Sequence, residues 1–171
     1  MATLDCGTLN FGGDEIFIDT ENMIIEFAAR MKERGIKPEL ECFDKSHIDM
    51  ALRLVRKGHI PTPLHFDLVL GVNGGATGTP RDLLFLVESL PEGSTWTVAG
   101  VGRAQLPLSA MALVMGGHVR VGFEDNLMYS RGVPGESNGQ FVERVVRLAK
   151  ELGREVATPA EAREILGMPA R

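Results

Sequence analysis

An α/β fold built on a parallel sheet is what this sequence predicts, and three observations predict it. Short β-branched or apolar runs alternate with longer segments of helical periodicity, the pattern of successive βα units. Glycine is abundant, at 20 of 171 residues, and falls mostly between those runs, where tight connections are needed. Polar residues recur after the strand runs: Glu39, Glu41 and Asp44, then Asn73, then Arg103, then Arg120 with Glu124 and Asp125. A (β/α)8 barrel of the TIM type builds its active face in this way, so a barrel is favoured over an open doubly wound sheet. About five βα units cannot close eight strands. The expected fold is therefore one partial-barrel domain over residues 1–171.

The elements follow in order. The first strand run is Thr3 to Leu9, and a helix follows from Thr20 to Arg34 with Ile24, Phe27, Ala28 and Met31 on one face and Gly35 as its stop. Pro38 opens a second run, Glu39 to Phe43, before a helix from Ser46 to Lys57 that Gly58 ends. A third strand, Phe66 to Leu70, leads into the glycine-rich loop 71–78, and Thr79-Pro80 opens a helix to Leu90. Trp96 to Ala99 is the fourth strand, with Leu106 to Met115 as its helix. His118 to Gly122 is the fifth, followed by an irregular stretch, a long helix from Asn138 to Leu152, and a short one from Thr158-Pro159 to Leu166.

A net charge of −5 gives no reason to expect nucleic acid or an anionic membrane as partner. Two cysteines, Cys6 and Cys42, form no CxxC and read as buried small hydrophobes in a reducing, cytoplasmic setting. The N-terminal residues lack a signal-peptide pattern, and no apolar run approaches the ~20 residues that span a bilayer.

The densest group of reactive side chains is Gly116-Gly-His-Val-Arg-Val-Gly-Phe-Glu-Asp-Asn126. His118 and Arg120 alternate with Val119 and Val121 and so face one side of a strand. Inside a barrel an arginine is costly unless it meets an anion. Glu124 and Asp125 follow at the strand's C-terminal end. One reading makes Arg120 an anion-binding group, Glu124 a metal ligand and Asp125 an acid/base; the other makes Arg120 part of a structural salt bridge. Glu39 and Glu41 also share a face, which suits a base, a metal or a cationic substrate group, or else faces solvent or the helix layer. Pro38 sets Glu39 at the strand entrance and makes Glu41 the better site member. His47, His59 and His65 show no HxH or HExxH spacing, so no zinc site is complete in the sequence. The 71–78 loop matches neither a dinucleotide nor a Walker fingerprint and is a weak phosphate-cradle signal.

The segments Leu4-Asp-Cys-Gly-Thr-Leu-Asn-Phe11, Lys37-Pro-Glu-Leu-Glu-Cys-Phe-Asp44 and Gly116 to Asn126, with the tail from Val142 to Leu166, resemble the β-keto acid cleavage enzyme family. The resemblance runs along essentially the whole chain. It implies a zinc-dependent TIM barrel in amino acid catabolism that condenses a β-keto acid with acetyl-CoA and releases acetoacetate and a new acyl-CoA. It implies zinc held by two histidines of a His-Val-His-like second strand and by the glutamate that matches Glu124. Asp125 then matches a catalytic acid/base, and Arg120 a substrate or transition-state contact. Glu41, from its place on the same face as the site, is expected to accept a cationic amino group, as an amino-substituted keto acid would offer. The chain lines up with strands four to eight of the family barrel, so the His-x-His pair falls outside it. The expected partners are small molecules together with a complementary N-terminal segment or further copies of the chain. His118, deeper along its strand than Glu124, is expected to pack or hydrogen-bond rather than ligate. The competing expectation is a non-catalytic interaction module whose open strand edges recruit another chain.

Overall fold

The computed structural model describes residues 1–168. Strand β1 (Ala2–Asp5) leads into a small antiparallel hairpin, β2 (Leu9–Gly12) and β3 (Glu15–Phe17), and then helix α1 (Glu21–Glu33). Next come β4 (Pro38–Cys42), α2 (Lys45–Arg56), β5 (His65–Leu70), α3 (Pro80–Glu88) and β6 (Thr95–Gly100). A 3-10 turn at Gly102–Ala104 precedes α4 (Gln105–Met115) and β7 (His118–Arg120). A second hairpin, β8 (Met128–Ser130) and β9 (Val133–Pro134), precedes α5 (Asn138–Glu151) and α6 (Pro159–Ile165).

The main sheet is parallel throughout, in the order β1-β4-β5-β6-β7. Sequential strands lying side by side, each followed by a helix, make the open arc of a barrel; a doubly wound sheet reverses its order. The fold is a partial (β/α)8 barrel of five βα units. Because side chains alternate along a strand, the register sorts the sheet into two unlike faces. One face carries Leu4, Leu40, Cys42, Phe66, Leu68, Leu70, Trp96 and Val98, all buried. These pack with Ile24 and Ala28 of α1, Ile48 and Leu54 of α2, Leu83 and Leu86 of α3, and Leu108 and Ala112 of α4. Burying a side chain of this size stabilises the fold by about 1.5–3 kcal/mol, which makes this layer the main source of stability.

The opposite face is polar. Pairing of Asp5 with Glu41, Glu41 with Asp67, Asp67 with Thr97 and Thr97 with His118 sets these residues in one row across five strands. Arg120, opposite Ala99, stands one row nearer the strand C-termini. A small apolar cluster of Leu9, Phe43, Val69 and Ala99 caps that end.

The helices begin where their chemistry dictates. Thr20, Thr79, Ser137 and Thr158 accept hydrogen bonds from first-turn amides, and Pro80 and Pro159 occupy the first turn, where a missing N–H costs nothing. Asp44, read from the sequence as a strand-end polar group, is one of these caps: its carboxylate accepts from the Ser46 and His47 amides. The run from Thr3 to Leu9 is not one strand; the chain leaves the sheet after Asp5 and starts the first hairpin at Leu9. Neither hairpin is anticipated by the sequence, because strands of two to four residues are too short for alternation to register. No helix among the described residues is long and apolar enough to cross a membrane.

The 71–78 loop closes on itself and on its neighbours: the Gly71 amide donates to the Ala76 carbonyl and the Ala76 amide to the Phe43 carbonyl. A Cβ on Gly74 would lie 1.7 Å from the Asn10 carbonyl oxygen, and one on Gly75 2.7 Å from that of Phe43. These glycines let the loop seat the β2–β3 hairpin over the strand ends. Gly74→Ala should therefore lower the unfolding free energy by about 1–3 kcal/mol in a urea titration, through forced backbone separation. Gly139→Ala, in the first turn of α5 with only the Ser137 hydroxyl nearby, should be neutral or stabilising. Equal effects of the two changes would contradict this packing role.

Candidate active site

The rows of the polar face place Arg120 where it must be neutralised, since its side chain is only 28% exposed. Its Nη1 donates to Asp67 Oδ2 at 2.9 Å and to Glu41 Oε2 at 3.2 Å. Its Nη2 donates to Asp125 Oδ1 at 3.3 Å and lies 3.2 Å from Glu124 Oε2. One guanidinium thus gathers four carboxyls, from two strands and from the loop that follows β7. The fork of donors fixes its orientation, as a planar cation with two branches does and an ammonium does not.

The cluster borders a cleft of ≈ 390 Å³ at the strand C-termini, within the size range of small-molecule sites. Glu41, Arg120, Glu124 and Asp125 supply its polar side, and Phe11, Phe43, Val69 and Val101 its apolar side. Phe11, on the β2–β3 hairpin, meets both Phe43 and Phe17 edge to face, which carries the aromatic wall up to the mouth. Asn73 of the 71–78 loop completes the lining.

Burial dominates the electrostatics. It pushes the Glu41 carboxyl up to about 8, helped by the charges of Asp67 and Asp5 and opposed by Arg120. It pushes Asp67 up to about 6, with Arg120 as the main opposing influence. Asp5 and Asp125 are also raised by burial. Desolvation disfavours the charge on Arg120, yet Asp67, Asp125 and Glu41 together hold the guanidinium above its ordinary value. Carboxyls raised by burial beside a fixed cation make the rim of this cleft the candidate site.

A second polar group lies toward the strand N-termini. His65, almost fully buried, approaches the hydroxyls of Thr95 at 2.9 Å and Thr97 at 3.2 Å, with its Nε2 3.6 Å from Glu39 Oε1. The neighbouring histidine holds Glu39 below the usual carboxylate range. His118 lies 6.1 Å from His65 ring to ring, and burial lowers its pKa. Glu39 and Glu41, which share a face, thus serve different groups: Glu39 pairs below with His65, and Glu41 reaches the cleft.

The structure brings together Arg120, Glu41, Glu124 and Asp125, the four residues singled out from the sequence. It adds Asp67, which the sequence reading passed over because it sits inside the run from Phe66 to Leu70. The usable signal was the cost of an aspartate in a fully buried strand, which demands a cationic partner. The sheet order, which runs without reversal, excludes a doubly wound arrangement, and Arg120 and Glu124 stand 3.2 Å apart at one end of it.

A zinc ion does not fit the residues of this chain on their own. Catalytic zinc takes three protein ligands. Among the described residues no three histidine, cysteine, aspartate or glutamate side chains are gathered for a metal ion. Glu124, with 82% of its side chain exposed, turns toward Arg120.

A partial βα barrel with a carboxylate-caged arginine at its strand ends defines the class, and comparison with known proteins defines the family. Residues 1–168 match the family model for beta-keto acid cleavage enzyme, and the chain belongs to that family. It is 66% identical over 168 residues to the 3-keto-5-aminohexanoate cleavage enzyme of Acetoanaerobium sticklandii, covering 98% of this chain and 62% of that one. It is 38% identical to the 3-oxoadipate:acetyl-CoA acetyltransferase of Cupriavidus necator, covering 99% of this chain and 61% of that one. The chain thus spans about three-fifths of the length of these relatives. The fold is similar to the apo structure of ObcA, with a TM-score of 0.81 at 21% identity, over 97% of this chain and 43% of that one.

The raised carboxyls link site and stability. Glu41 (4.5 to about 8) and Asp67 (3.8 to about 6) bind protons more tightly folded than unfolded. Their contribution is complete below about pH 4 and is lost as pH rises through 6 and then 8. The urea midpoint should therefore fall between pH 5 and pH 9, and Glu41→Gln should flatten the upper part of that fall. A midpoint that rises across this window would contradict the assignment.

Proposed function

We propose that this chain is the C-terminal portion, strands four to eight, of an enzyme that reacts a β-keto acid with acetyl-CoA to give acetoacetate and a new acyl-CoA. The observation that carries the reading is Arg120, caged by Asp67, Glu41 and Asp125 at the rim of a cleft where a barrel does its chemistry. The activities for which the relatives are named support it. So does the requirement of the reaction: carbon–carbon bond making and breaking next to a carbonyl puts negative charge on oxygen, and a fixed cation lowers that cost.

In this reading Arg120 binds the substrate's developing or resident negative charge, and its carboxylate partners keep it from moving. Asp125, at the strand end beside Arg120, takes and returns a proton as acid/base. Glu41 faces the same cleft and accepts a cationic amino group, which favours an amino-substituted keto acid such as the one in the name of the Acetoanaerobium relative. Glu124 is offered as a single ligand to zinc, with the histidine ligands coming from an N-terminal segment. The setting is cytoplasmic.

The remainder of the relatives' length fits this division. Beside β1, Phe17, Phe27, Met31 and Ile36 line an open groove, and beside β7, Val119, Val121, Val142 and Val146 line another. Among the described residues, each of these strands pairs with a single neighbour in the sheet. Those same edges favour the second reading, an interaction module that pairs with another chain or self-associates.

The test is zinc content and acetoacetate production by the chain, alone and with a separately supplied N-terminal segment carrying a His-x-His strand. The chain alone should hold well under one zinc and produce negligible acetoacetate, and the segment should raise both. Asp125→Asn in the reconstituted enzyme should then cost about 10²–10⁴-fold in kcat. Stoichiometric zinc in the chain alone would overturn the division of ligands. A folded complex that stays silent with every β-keto acid would favour the interaction module.

A further inference from the structure

Asp67 has a place that the cleft does not explain. Its side chain is fully buried in the middle of β5 and does not line the cleft. Oδ2 accepts from Arg120 Nη1, while Oδ1 is buried with no hydrogen-bond partner among the described residues. A carboxylate in this position is costly and reaches no substrate, so its effect must act on its neighbours. Two neighbours share the consequence. Arg120 Nη1 is divided between Asp67 at 2.9 Å and Glu41 at 3.2 Å, and the shorter, drier contact is to Asp67. Glu41 and Asp67 also face each other in register on adjacent strands, with Asp5 on the far side of Glu41. Two buried carboxyls and a half-buried one, in a row beside one guanidinium, do not all ionise near neutral pH.

We propose that Asp67 is a positioning residue: it is the ionised counter-ion that fixes Arg120, and it thereby leaves Glu41 as the protonated carboxyl on the cleft wall. Glu41 can then donate a hydrogen bond to a keto oxygen, and ionises to receive a cationic group only when such a group arrives. This deepens the reading given above by dividing the labour among its carboxyls, and it rests on that reading only for the identity of the substrate. The charged groups facing Glu41 are Asp5 from β1, Glu39 from its own strand, Asp67 from β5 and Arg120 from β7. Those facing Asp67 are Glu41 and Glu39 from β4, Arg120 from β7 and His65 from its own strand.

The order of ionisation tests the proposal without substrate or turnover. Carboxyl carbons of the ¹³C-labelled chain are followed by NMR from pH 4 to pH 10, with circular dichroism as the folding control. Asp67 should lose its proton before Glu41. In Asp67→Asn, which keeps the shape and removes the charge, the Glu41 midpoint should move down by about one to three units as Arg120 turns wholly to it. Ionisation of Glu41 at or below the pH of Asp67, or an unmoved Glu41 midpoint in a folded Asp67→Asn chain, would overturn the proposal. Should that variant not fold, the order in the unaltered chain decides. Because no activity is read, a correct order with no acetoacetate from the completed enzyme would count against the proposed reaction and leave this assignment standing.

Discussion

A guanidinium set into the polar face of a parallel sheet is the constraint on which the rest of this site depends. Arg120 leaves β7 on the side away from the helices, where water is scarce, and its charge has to be met within reach of its two branches. The partners come from β4, from β5 and from the loop after β7. Meeting that demand ties three strands and a loop to one geometry. A one-residue slip of β4 or β5 would turn Glu41 or Asp67 to the helix side, where Leu40, Phe66 and Leu68 now pack, and would expose those apolar groups instead. The ion cluster and the apolar layer therefore enforce the same register from opposite faces.

That arrangement also explains how an unfavourable interior becomes useful. Five carboxyls, Asp5, Glu41, Asp67, Glu124 and Asp125, surround a single arginine, so the cluster holds more acid than base. Burial meets the excess by raising the pKa values of Glu41, Asp67, Asp5 and Asp125 rather than by expelling the groups. The result is a cation held in place beside one acid, Glu41, that keeps its proton near neutral pH. Glu124 is exposed beside this cluster, and an open groove flanks each edge strand.

Much of this was readable in the sequence, and what was missed has physical causes. Arg120 stood out because it alternates with valines on a strand, and Glu124 and Asp125 because they close that strand. Glu41 was separable from Glu39 by the proline that fixes the strand entrance, and the two do serve different partners. Asp67 was hidden because a central parallel strand is apolar on both faces as a rule, so one aspartate inside it reads as noise. His65 was obscured by the prolines before it, although it opens β5 and is buried. Asp44 looked like a site residue because caps and catalytic groups occupy the same place, just beyond a strand. The hairpins escaped because their strands are shorter than one clear alternation, and the glycines of the 71–78 loop were legible as a loop but not as the seat of a hairpin.

The central claim is that Arg120 and Asp67 act as one unit at the heart of the polar face, and a double-mutant cycle on unfolding free energy tests it directly. Arg120→Gln, Asp67→Asn and the double variant are compared with the unaltered chain by urea denaturation at pH 7. The account predicts that the double variant is more stable than the sum of the single losses implies, with a coupling of about 1–3 kcal/mol, because each single change leaves its partner buried without a counter-charge. Losses that add to within about 0.3 kcal/mol would mean that the two side chains titrate and pack independently, and would contradict it.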